Sequence, residues 1–455
     1  MLYWAQSVLW GAMAYMELRP TCYVATYGCQ MNENDSEILL AYLEELGYQS
    51  APAMADADVV ILNTCCVRES AEDKVYGKLG ELKLMKAERP DLFIGIAGCM
   101  TQQAGVGEAL ARRYPYVDLV LGTHNLRRFP ELFQQAQGAP STVVDVQGEP
   151  EEMPIFPRGV RAGGVTAWVT ILRGCDKRCT YCIVPYVRGR EMSRPRDEIR
   201  AEVQGLVGEG VREVTLLGQN VNAYGKDLAG ESFATLIRDI DEVEGLERIR
   251  YTTSHPRDFT QEMIDAIASS RHVCEHFHVP VQSGSPQMLR RMARGYTRER
   301  YVDLIERIRR AVPDAAVTTD LIVGFPGETE EDFEQTLELC RQLRFDKSFT
   351  FMYSPRRGTP AAAFPGQVPL AVKKERLARL IEVTDALSLE ANRRQVGQTV
   401  EVLCEGVSKR NGERLMGRTR QNQPVVFPGS VEQVGQVAKV LVRSVNTWTL
   451  EGEAL

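Results

Sequence analysis

The chain has 455 residues, of which 44% are hydrophobic and 25% are charged. That balance is typical of a globular protein and excludes general disorder, a coiled coil or a collagen-like repeat. At ~100–200 residues per domain, the length predicts about three domains. The formal charge of −7, from 54 basic and 61 acidic residues, neither argues for a nucleic-acid partner nor excludes one. No apolar run reaches the ~18 residues that a membrane-spanning helix needs, so no membrane partner is expected.

The first third of the chain alternates short apolar runs with segments of helical periodicity. This alternation predicts an open parallel α/β sheet in a domain over residues 20–136. Strands are predicted at Cys22–Thr26, Val59–Leu62, Phe93–Ala97 and Leu119–Leu121, and helices at Asn34–Leu46 and Ala71–Met85. The next segment, Gly138–Gly164, is rich in Gly, Pro and acidic residues and is typical of a linker.

The same alternation returns over residues 161–393, where six strands with intervening helices predict a partial (β/α)6 barrel. The predicted strands are Trp168–Leu172, Val214–Leu217, Ile249–Thr253, Phe277–Val281, Val317–Val323 and Ser348–Tyr353. The predicted helices are Asp197–Val207, Phe233–Val243, Gln261–Ala268, Pro286–Ala311, Glu330–Leu343 and Val372–Glu390. Sites in such folds lie at the carboxyl ends of the strands.

Over residues 396–455 the pattern changes to short alternating runs separated by Gly, Asn and Pro. These runs predict a small antiparallel β-barrel with an oligonucleotide-binding-like outline. Its predicted strands are Val400–Cys404, Leu415–Thr419, Pro424–Phe427, Val437–Val442 and Thr447–Glu451.

Basic residues concentrate in two stretches. Lys409–Arg420 carries five basic residues against one acid, Glu413, and lies within the predicted small barrel. A second stretch runs from Arg290 to Arg310 and includes Arg294. On charge alone, a solvated face is the favoured interpretation of each stretch.

Three cysteines lie on one short segment, Arg173-Gly-Cys175-Asp-Lys-Arg-Cys179-Thr-Tyr-Cys182, after the first predicted barrel strand. Thiolates select iron–sulfur clusters, zinc or copper(I). A structural zinc site needs a fourth ligand, and no Cys or His lies between Val184 and Ser254. Three thiolates on a four-iron cluster leave one iron open to a substrate or cofactor, which is the favoured interpretation. A zinc loop completed by a distant ligand is the alternative.

A second trio of cysteines is dispersed over the N-terminal domain. Its members lie in Tyr27-Gly-Cys29-Gln-Met-Asn32, Asn63-Thr-Cys65 and Ala97-Gly-Cys99-Met. Each follows a predicted parallel strand, so all three are expected at the carboxyl edge of one sheet, with Gly28 and Gly98 allowing tight turns. We favour a second three-thiolate cluster over three unrelated core cysteines.

The remaining cysteines and histidines are expected to be structural. Cys66 adjoins Cys65, but neighbours on an extended segment point apart, so Cys66 is not expected to bind iron. Four others in apolar surroundings are predicted to lie in the core: Cys22, Cys274, Cys340 and Cys404. For His272, His276 and His278, a structural or cofactor-side role is favoured over metal ligation.

Eleven cysteines without an export signal indicate a reducing compartment rather than a disulfide framework. The largely apolar stretch Met1–Leu18 lacks the basic start and the small-residue cleavage site of a signal peptide. It is interpreted as a poorly determined N-terminus, with a start codon chosen upstream of Met16. A cytoplasmic location is expected.

The spacing of Cys175, Cys179 and Cys182, with Tyr181 before the last cysteine and Pro185 after it, resembles the radical S-adenosylmethionine enzymes. In that superfamily the amino and carboxylate groups of the cofactor chelate the open iron. Electron transfer from the cluster then cleaves the cofactor to a 5′-deoxyadenosyl radical. Such a radical abstracts hydrogen from an unactivated C–H bond, which no acid–base arrangement of side chains can do.

The two cysteine trios together resemble the methylthiotransferases, and this resemblance covers nearly the whole chain from about Thr21, ending in a TRAM domain. Further motifs that carry it are Leu217-Gly-Gln-Asn-Val-Asn, Thr252-Thr-Ser-His-Pro, His278-Val-Pro-Val-Gln-Ser-Gly-Ser, Met292-Ala-Arg-Gly-Tyr-Thr and Asp320-Leu-Ile-Val-Gly-Phe-Pro-Gly-Glu-Thr. Gly-Cys29-Gln-Met-Asn is similar to the MiaB branch, which acts on tRNA bearing N6-isopentenyladenosine beside the anticodon. The ribosomal-protein branch usually has Pro-Lys-Asn there. Gly417-Arg-Thr-Arg and Val425-Val-Phe-Pro-Gly also resemble the tRNA-modifying branch.

This resemblance implies two [4Fe-4S] clusters and S-adenosylmethionine as cofactors. The radical cluster would be held by Cys175, Cys179 and Cys182, and the auxiliary cluster by Cys29, Cys65 and Cys99. The radical would remove hydrogen from C2 of the adenine, where the methylthio group is delivered, so both clusters must face one cavity. The implied partners are the anticodon stem-loop of tRNA and an electron donor such as flavodoxin or ferredoxin, and the protein is expected to be a monomer.

Contacts to cofactor and RNA rest on weaker patterns. Gln219 and Gln282 end barrel strands and carry amides suited to binding a nucleoside or carboxylate, although turn stabilisation explains them as well. For RNA, Arg418 and Arg420 are predicted to grip phosphates. The target base would have to be extruded toward the radical.

Two other functions stay open at this point. One keeps the enzyme class but changes the substrate to threonylcarbamoyl-adenosine in tRNA or to a ribosomal protein. The other is an iron–sulfur RNA-binding protein without catalysis.

Overall fold

The computed structural model describes residues 19–66, 69–146, 148, 164–408 and 412–455. The chain divides into two compact units, with the division between Val160 and Arg161. The interpretation of Met1–Leu18, most of the predicted linker, and the basic residues Lys409 and Arg410 lie outside the described residues. The domain boundaries 20–136, 161–393 and 396–455 stay predictions.

Unit 1 is built on a six-stranded parallel sheet in the order β2-β1-β3-β4-β5-β6. The predicted open parallel α/β sheet is therefore confirmed. Its strands are β1 (Thr21–Tyr27), β2 (Gln49–Ser50), β3 (Val59–Thr64), β4 (Phe93–Gly98), β5 (Leu119–Gly122) and β6 (Val143–Asp145). Its helices are α1 (Gln30–Glu45), α2 (Glu69–Glu88), α3 (Val106–Arg113) and α4 (Phe129–Gln137).

Apolar side chains project from both faces of this sheet, and β3 and β4 are buried at every position. Two apolar clusters result, one containing Leu39 and Phe129 and the other containing Leu62 and Leu79. Burial on both faces explains why these strands read as continuous apolar runs rather than alternating ones.

The linker prediction is wrong at its start, because β6 lies within it and extends the sheet beside β5. Val143, Val144 and Asp145 are only half-buried, so this edge strand lacks the apolar run that marks the inner strands. The short elements β2, α3 and α4 were not predicted either, and within unit 1 they are shorter than the strands and helices that were predicted.

Unit 2 begins with six barrel strands that form two parallel three-stranded sheets, β11-β10-β7 and β12-β13-β14. The two sheets are joined by a parallel bridge between Ile249 and Val273, so they form one curved wall. The strands are β7 (Thr166–Thr170), β10 (Glu213–Leu217), β11 (Arg248–Tyr251), β12 (His276–His278), β13 (Ala316–Val323) and β14 (Lys347–Met352). A short antiparallel pair, β8 (Leu172–Arg173) and β9 (Met192–Ser193), follows β7.

Helices connect the barrel strands, as the alternation predicts. They are α5 (Val184–Arg188), α6 (Arg196–Gly208), α7 (Phe233–Asp241), α8 (Gln261–Ser269), α9 (Pro286–Arg291), α10 (Arg298–Ala311), α11 (Glu330–Leu343) and α12 (Leu370–Arg393). None of the described helices is both long and apolar enough to cross a bilayer.

The single helix predicted at Pro286–Ala311 is wrong, because the chain breaks between α9 and α10. Ala293 and Gly295 both adopt positive φ angles, of 56° and 70°, which end the first helix. Thr297 then caps α10, where its side chain accepts a hydrogen bond from the backbone N–H of Arg300. The break leaves Arg294 outside any helix.

The C-terminal part of unit 2 is a closed five-stranded barrel in the order β15-β16-β17-β19-β18. Its strands are β15 (Thr399–Val407), β16 (Arg414–Arg418), β17 (Pro424–Pro428), β18 (Val437–Val445) and β19 (Leu450–Ala454). The small barrel is confirmed, but one of its strand pairs, β17 with β19, is parallel. Closure leaves no exposed sheet edge.

Two buried arginines of β11 fasten the small barrel to the (β/α) barrel within unit 2. Arg248 donates to the backbone carbonyls of Arg418 and Glu401, and Arg250 donates to those of Arg420 and Thr419. These side chains therefore bind carbonyl groups in β15, at the end of β16 and in the turn after β16.

Arg420 adds a reciprocal contact from the small barrel. Its guanidinium makes two-pronged hydrogen bonds to the carboxylate of Glu275, and it also donates to the carbonyl of Val273 at 2.7 Å. An arginine–carboxylate fork of this kind fixes geometry as well as charge. Arg420 thus holds the two parts of unit 2 together.

We predict that Arg250→Met lowers the stability of unit 2 by ~3–5 kcal/mol, because it leaves the buried carboxylate of Glu213 without its cation. In the parent chain the two groups lie 2.9 Å apart, and both side chains are buried. Arg443→Ala, which removes an exposed ion pair with Glu453, is the control and should cost under ~1 kcal/mol. Urea unfolding followed by tryptophan fluorescence measures both changes, and equal midpoints would contradict the assignment.

Candidate functional site

The strand order of unit 1 creates a switch point between β1 and β3, from which the connections run to opposite sides of the sheet. In open α/β sheets, ligands bind at the carboxyl edge next to such a point. Cys29 follows β1 and Cys65 follows β3, so both lie at this place. Cys99 follows the next strand, β4.

Backbone hydrogen bonds align the three chain segments that carry these cysteines. The N–H of Cys65 donates to the carbonyl of Tyr27 at 2.9 Å, and the N–H of Cys99 donates to that of Thr64 at 2.7 Å. Neighbouring strands lie about 4.8 Å apart, so the trio spans about three strand positions. The structure therefore brings Cys29, Cys65 and Cys99 to one sheet edge, as predicted.

A buried amide network fixes the Cys29 turn against the sheet. The amide nitrogen of Asn32 donates to Asn63 Oδ1 and to the carbonyl of Thr64, both at 3.2 Å. The amide of Asn63 returns a bond to the carbonyl of Asn32 at 2.7 Å and donates to Ser36 Oγ. The oxygen of the Asn32 amide accepts from the N–H of Cys29, which starts α1. Asn32 and Asn63 lie in the cysteine motifs, but this role was not predicted for them.

Two glycines make the close approach of these segments possible. A Cβ atom on Gly28 would lie 2.2 Å from Asn32 Oδ1, and one on Gly98 would lie 2.3 Å from the carbonyl oxygen of Thr64. Gly98 also has φ +110°, a conformation that other residues rarely adopt. Side chains at either position would separate the cysteine segments.

Cys66 lies beside the site rather than away from it. Its thiol is fully buried and hydrogen-bonds with Cys99, and this contact together with burial raises the pKa of the Cys66 thiol. The expectation that Cys66 does not bind iron stays a prediction.

The second cysteine loop leaves the barrel at Gly174, whose φ is +76°. A Cβ atom there would lie 1.9 Å from the carbonyl oxygen of Arg190, so only glycine fits. The N–H of Gly174 donates to Gln219 Oε1 at 2.5 Å, and the N–H of Cys175 donates to the carbonyl of Gly189. Gln219, predicted to contact the cofactor, therefore uses its amide oxygen to hold the cysteine loop.

The thiols of this loop interact with one another. Burial raises the pKa of Cys175 to about 12, and the negative charges of Cys182, Glu191 and Cys179 add to that rise. The pKa of Cys182 is likewise raised to about 12, first by burial and then by Cys179. Without a metal these two thiols are protonated at neutral pH, so metal binding must release their protons.

Arg294 brings a buried cation to this site that was not predicted from the sequence. The side chain is 4% exposed, and Nη1 lies 3.3 Å from Cys179 Sγ and 3.2 Å from the Tyr181 hydroxyl. Its other donors reach the Pro280 carbonyl and the hydroxyl of Tyr296. The solvated-face interpretation of the basic stretch is wrong for Arg294. Its position in Met292-Ala-Arg-Gly-Tyr-Thr, a motif already noted, was the available signal.

An ion-pair cluster anchors the middle of the cysteine loop. Asp258 accepts from Lys177 of the loop, from Lys226 and from Asn220, at 2.6–3.0 Å. These donors outweigh the effect of burial and lower the pKa of Asp258 to about 2. The carboxylate is therefore charged throughout the physiological range.

His255 and Ser254 present buried polar atoms at the end of β11. His255 Nδ1 accepts from the N–H of Arg257, so the proton of the neutral ring lies on Nε2. Burial and the nearby Arg294 lower the pKa of His255 to about 2, which keeps the ring neutral. Within the described chain, neither His255 Nε2 nor Ser254 Oγ has a hydrogen-bond partner. Buried polar atoms of this kind are rare in proteins and are typical of a ligand site.

Gln282, the other predicted cofactor contact, has a strained backbone. Its φ is 74°, although it is not glycine, and its side chain is 7% exposed. Its N–H and carbonyl bond to the backbone of Asp320 and Ile322 on β13. Strain of about 1–3 kcal/mol persists where the surrounding structure imposes it, often at ligand sites.

Three of the four cysteines predicted to be structural, Cys22, Cys340 and Cys404, are buried in apolar clusters, which confirms that prediction. Cys274 is also buried, but its neighbours include the charged side chains of Arg250 and Glu213, so the predicted apolar surroundings are wrong for this residue. His272 bonds to Asp241, and His276 and His278 share the hydroxyl of Thr318 between their rings.

Arg418 differs from Arg420 in its surroundings. It lies 3.3 Å from Glu405 and donates to Asn422 Oδ1, with a side chain that is 39% exposed. The guanidinium of Arg420, in contrast, is hydrogen-bonded to the carboxylate of Glu275. Their predicted contacts with RNA stay predictions.

The donor set suits iron–sulfur clusters better than other metals. Each trio offers three thiols, and soft sulfur ligands of this kind select iron–sulfur clusters. Among the described residues, no three Cys, His, Asp or Glu side chains already stand in a metal-binding arrangement. One trio of thiols thus lies at the sheet edge of unit 1 and the other on the cysteine loop of unit 2, and both fit an iron–sulfur cluster. The buried polar atoms of Ser254 and His255 that lack a hydrogen-bond partner in the described chain fit a bound cofactor.

Family models match the chain in three places. Residues 21–122 match Uncharacterized protein family UPF0004, residues 169–340 match the Radical SAM superfamily, and residues 393–455 match the TRAM domain. The fold and the cysteine loop therefore define a radical S-adenosylmethionine enzyme with a TRAM barrel, a class that uses a [4Fe-4S] cluster and S-adenosylmethionine.

Similar proteins show which family within this class the chain belongs to. The chain is 53% identical to the tRNA-2-methylthio-N(6)-dimethylallyladenosine synthase of Moorella thermoacetica, over 96% of this chain and 99% of that protein. It is 51% identical to the protein of the same name from Carboxydothermus hydrogenoformans, over 94% and 98%. The chain belongs to this MiaB-type methylthiotransferase family, as the sequence resemblance implied.

Solved structures support the fold alone. The radical S-adenosylmethionine methyltransferase TsrM from Kitasatospora setae, solved with cobalamin and a [4Fe-4S] cluster, matches with a TM-score of 0.56 at 14% identity. The match covers 76% of this chain and 77% of that one.

We predict that Gly98→Ala destabilises unit 1 by about 2–4 kcal/mol, because the methyl group would force Thr64 and Cys99 apart at a left-handed position. Gly80→Ala is the matched control. Gly80 lies exposed in α2 with no atom near its virtual Cβ, so alanine should raise stability by up to ~1 kcal/mol. Thermal unfolding of the two variants gives the comparison, and a neutral Gly98→Ala would contradict the close approach.

Proposed function

We propose that the chain transfers a methylthio group to C2 of N6-isopentenyladenosine next to the anticodon of tRNA. The observation that carries this proposal is the near-complete match to tRNA-2-methylthio-N(6)-dimethylallyladenosine synthases at about half identity, together with both cysteine trios. The Gln-Met-Asn sequence after Cys29 supports a tRNA substrate over a ribosomal protein.

The radical cluster is assigned to Cys175, Cys179 and Cys182. When bound, this cluster supplies the electron that cleaves S-adenosylmethionine, giving the radical that removes hydrogen from an unactivated carbon. The chain itself holds the loop rigid through Gly174, Gln219 and the Lys177–Asp258 ion pair. Arg294 places a buried positive charge against Cys179, one of the three assigned ligands.

The auxiliary cluster, and hence a total of two, is assigned to Cys29, Cys65 and Cys99. Cys65 and Cys99 are buried while Cys29 is exposed, so this edge is open on one side. An open side is needed where sulfur is delivered to a large substrate. The Asn32–Asn63 network keeps Cys29 in place at that side.

Direct contact with S-adenosylmethionine is assigned to Gln282 and, in addition, to His255, whereas the contribution of Gln219 is indirect. His255 offers a neutral N–H donor without an acceptor in the described chain, which suits a carboxylate or nucleoside oxygen. The amide of Gln219 acts through the cysteine loop, as a positioning group.

RNA binding is assigned to the TRAM barrel, with Arg418 as the phosphate contact. Arg420 acts by holding this barrel in place through Glu275, so its replacement would disturb structure and binding together. The remaining assignments are a cytoplasmic location, a monomeric state and an electron donor such as flavodoxin or ferredoxin, which follow from the family resemblance.

We predict a split between two products when single cysteines are replaced. The parent chain, given S-adenosylmethionine, a reductant and isopentenylated tRNA under anaerobic conditions, should form 5′-deoxyadenosine and the methylthio nucleoside. Cys182→Ala should form neither. Cys65→Ala should still form 5′-deoxyadenosine but lose the methylthio nucleoside, and Cys340→Ala, a buried core control, should form both. Liquid chromatography with mass spectrometry measures both products.

Other outcomes would favour the alternatives. Methylthiolation of threonylcarbamoyl-adenosine or of a ribosomal protein, with isopentenylated tRNA left unchanged, would replace the proposed substrate. Absence of 5′-deoxyadenosine from the reconstituted parent chain would favour a non-catalytic iron–sulfur protein.

A further inference from the structure

Strand β14 presents aromatic rings to solvent along one face. Phe349 and Phe351 are 39% and 38% exposed, whereas Ser348 between Lys347 and Phe349 is buried. Alternate residues of a strand share a face, so Lys347, Phe349 and Phe351 form one row with a spacing of about 6.6 Å between neighbours. Two adjacent exposed phenylalanines on a barrel strand indicate a binding surface rather than a core.

Trp448 of the TRAM barrel extends this row at its lower end. Its indole is 50% exposed, and Lys347 Nζ lies 4.7 Å from the indole centroid and 5.2 Å from the ring of Phe349. The loop that carries Trp448 is held in place, since Asn446 accepts from the N–H of Trp448, and Asn392 donates to the carbonyl of Asn446. Its exposure is therefore a fixed feature.

The upper end of the row reaches the cysteine loop through packed rings. Tyr353, just after β14, packs against Phe325 with 5.2 Å between ring centroids. Phe325 in turn lies 6.4 Å from the ring of Tyr181, the residue before Cys182. The row thus runs from the TRAM barrel toward the radical site.

Cations border the row, since Lys347 and Arg418 lie close enough to repel one another. The ring of His278 meets the ring of Phe349 edge-on at 5.7 Å, and its Nε2 lies 3.5 Å from Asp320 Oδ1. The carboxylate of Glu405 is paired with Arg418. Aromatic faces bordered by cations are complementary to a nucleic acid, whose bases stack and whose phosphates are anionic.

We propose that Lys347, Phe349, Phe351 and Trp448, here called the β14 platform, stack the unpaired bases of the substrate RNA and lead the target base from the TRAM barrel to the radical site. This inference rests on the proposed function and names residues that determine RNA recognition. Single-stranded loops are recognised in this way, by splayed bases on aromatic side chains, whereas paired stems are bound through phosphates.

The test measures binding of the full chain to a fluorescent anticodon stem-loop RNA, with and without the isopentenyl group, over a salt titration. Phe349→Ala and Trp448→Ala should each weaken binding about tenfold, with an unchanged salt slope, because stacking releases no counterions. Phe349→Tyr and Trp448→Phe, which keep a ring, should restore binding. Arg418→Ala should weaken binding and lower the salt slope by about one. Val431→Ala, at an exposed apolar residue elsewhere on the TRAM barrel, is the control and should bind like the parent.

Four results would overturn the inference. Parent-like affinity of both alanine variants, or failure of the ring-preserving variants to restore binding, would remove the stacking role. Loss of affinity only for the isopentenylated RNA would mean that these rings bind the isopentenyl group instead. If the parent chain binds neither RNA, both the proposed function and the role of the β14 platform are wrong. If only the role of the platform is wrong, the parent chain still binds RNA and the platform variants bind equally well. Retained near-parent thermal stability shows that the exposed-residue variants are folded.

Discussion

The hydrogen bonds between parallel strands are the constraint on which the rest depends. They bring the ends of β1, β3 and β4 to one edge, so that three cysteines separated by long stretches of sequence become neighbours. The same kind of pairing in unit 2 places Gly174, His255 and Gln282 at the ends of barrel strands. Each unit thus uses the carboxyl edge of its strands, and the chemistry follows from what the turns there carry.

Fixed polar groups adapt each edge to its ligands. In unit 1 the neutral Asn32–Asn63 network orders the cysteine segments without adding charge, whereas unit 2 buries the cation of Arg294 against a thiol. A buried arginine is costly unless it is fully bonded, and Arg294 reaches four partners. A cation held in this way offsets the negative charge that three thiolates bring to the radical site.

Local signals in the sequence predicted much of this fold. The bounds of α11 were predicted correctly from its helical periodicity, and in the structure a capping box of Thr329 and Asp332 marks its start. The inner strands were found because they are buried on both faces. What could not be predicted depends on distant partners: the burial of Arg294 against Cys179 joins positions 115 residues apart, and Arg420 meets Glu275 across 145 residues. Periodicity carries no information on such contacts, so the stretch that contains Arg294 was interpreted as a solvated face and Arg420 was predicted to grip RNA phosphates.

The central claim is that two separate trios of cysteines each hold an iron–sulfur cluster. Iron and sulfide analysis with electron paramagnetic resonance, on anaerobically reconstituted chain, tests it most directly. The account predicts two [4Fe-4S] clusters, with about half of the iron lost when either Cys99 or Cys179 is replaced by alanine and the remaining signal belonging to the other trio. One cluster in the parent chain, or loss of all iron from either variant, would contradict it.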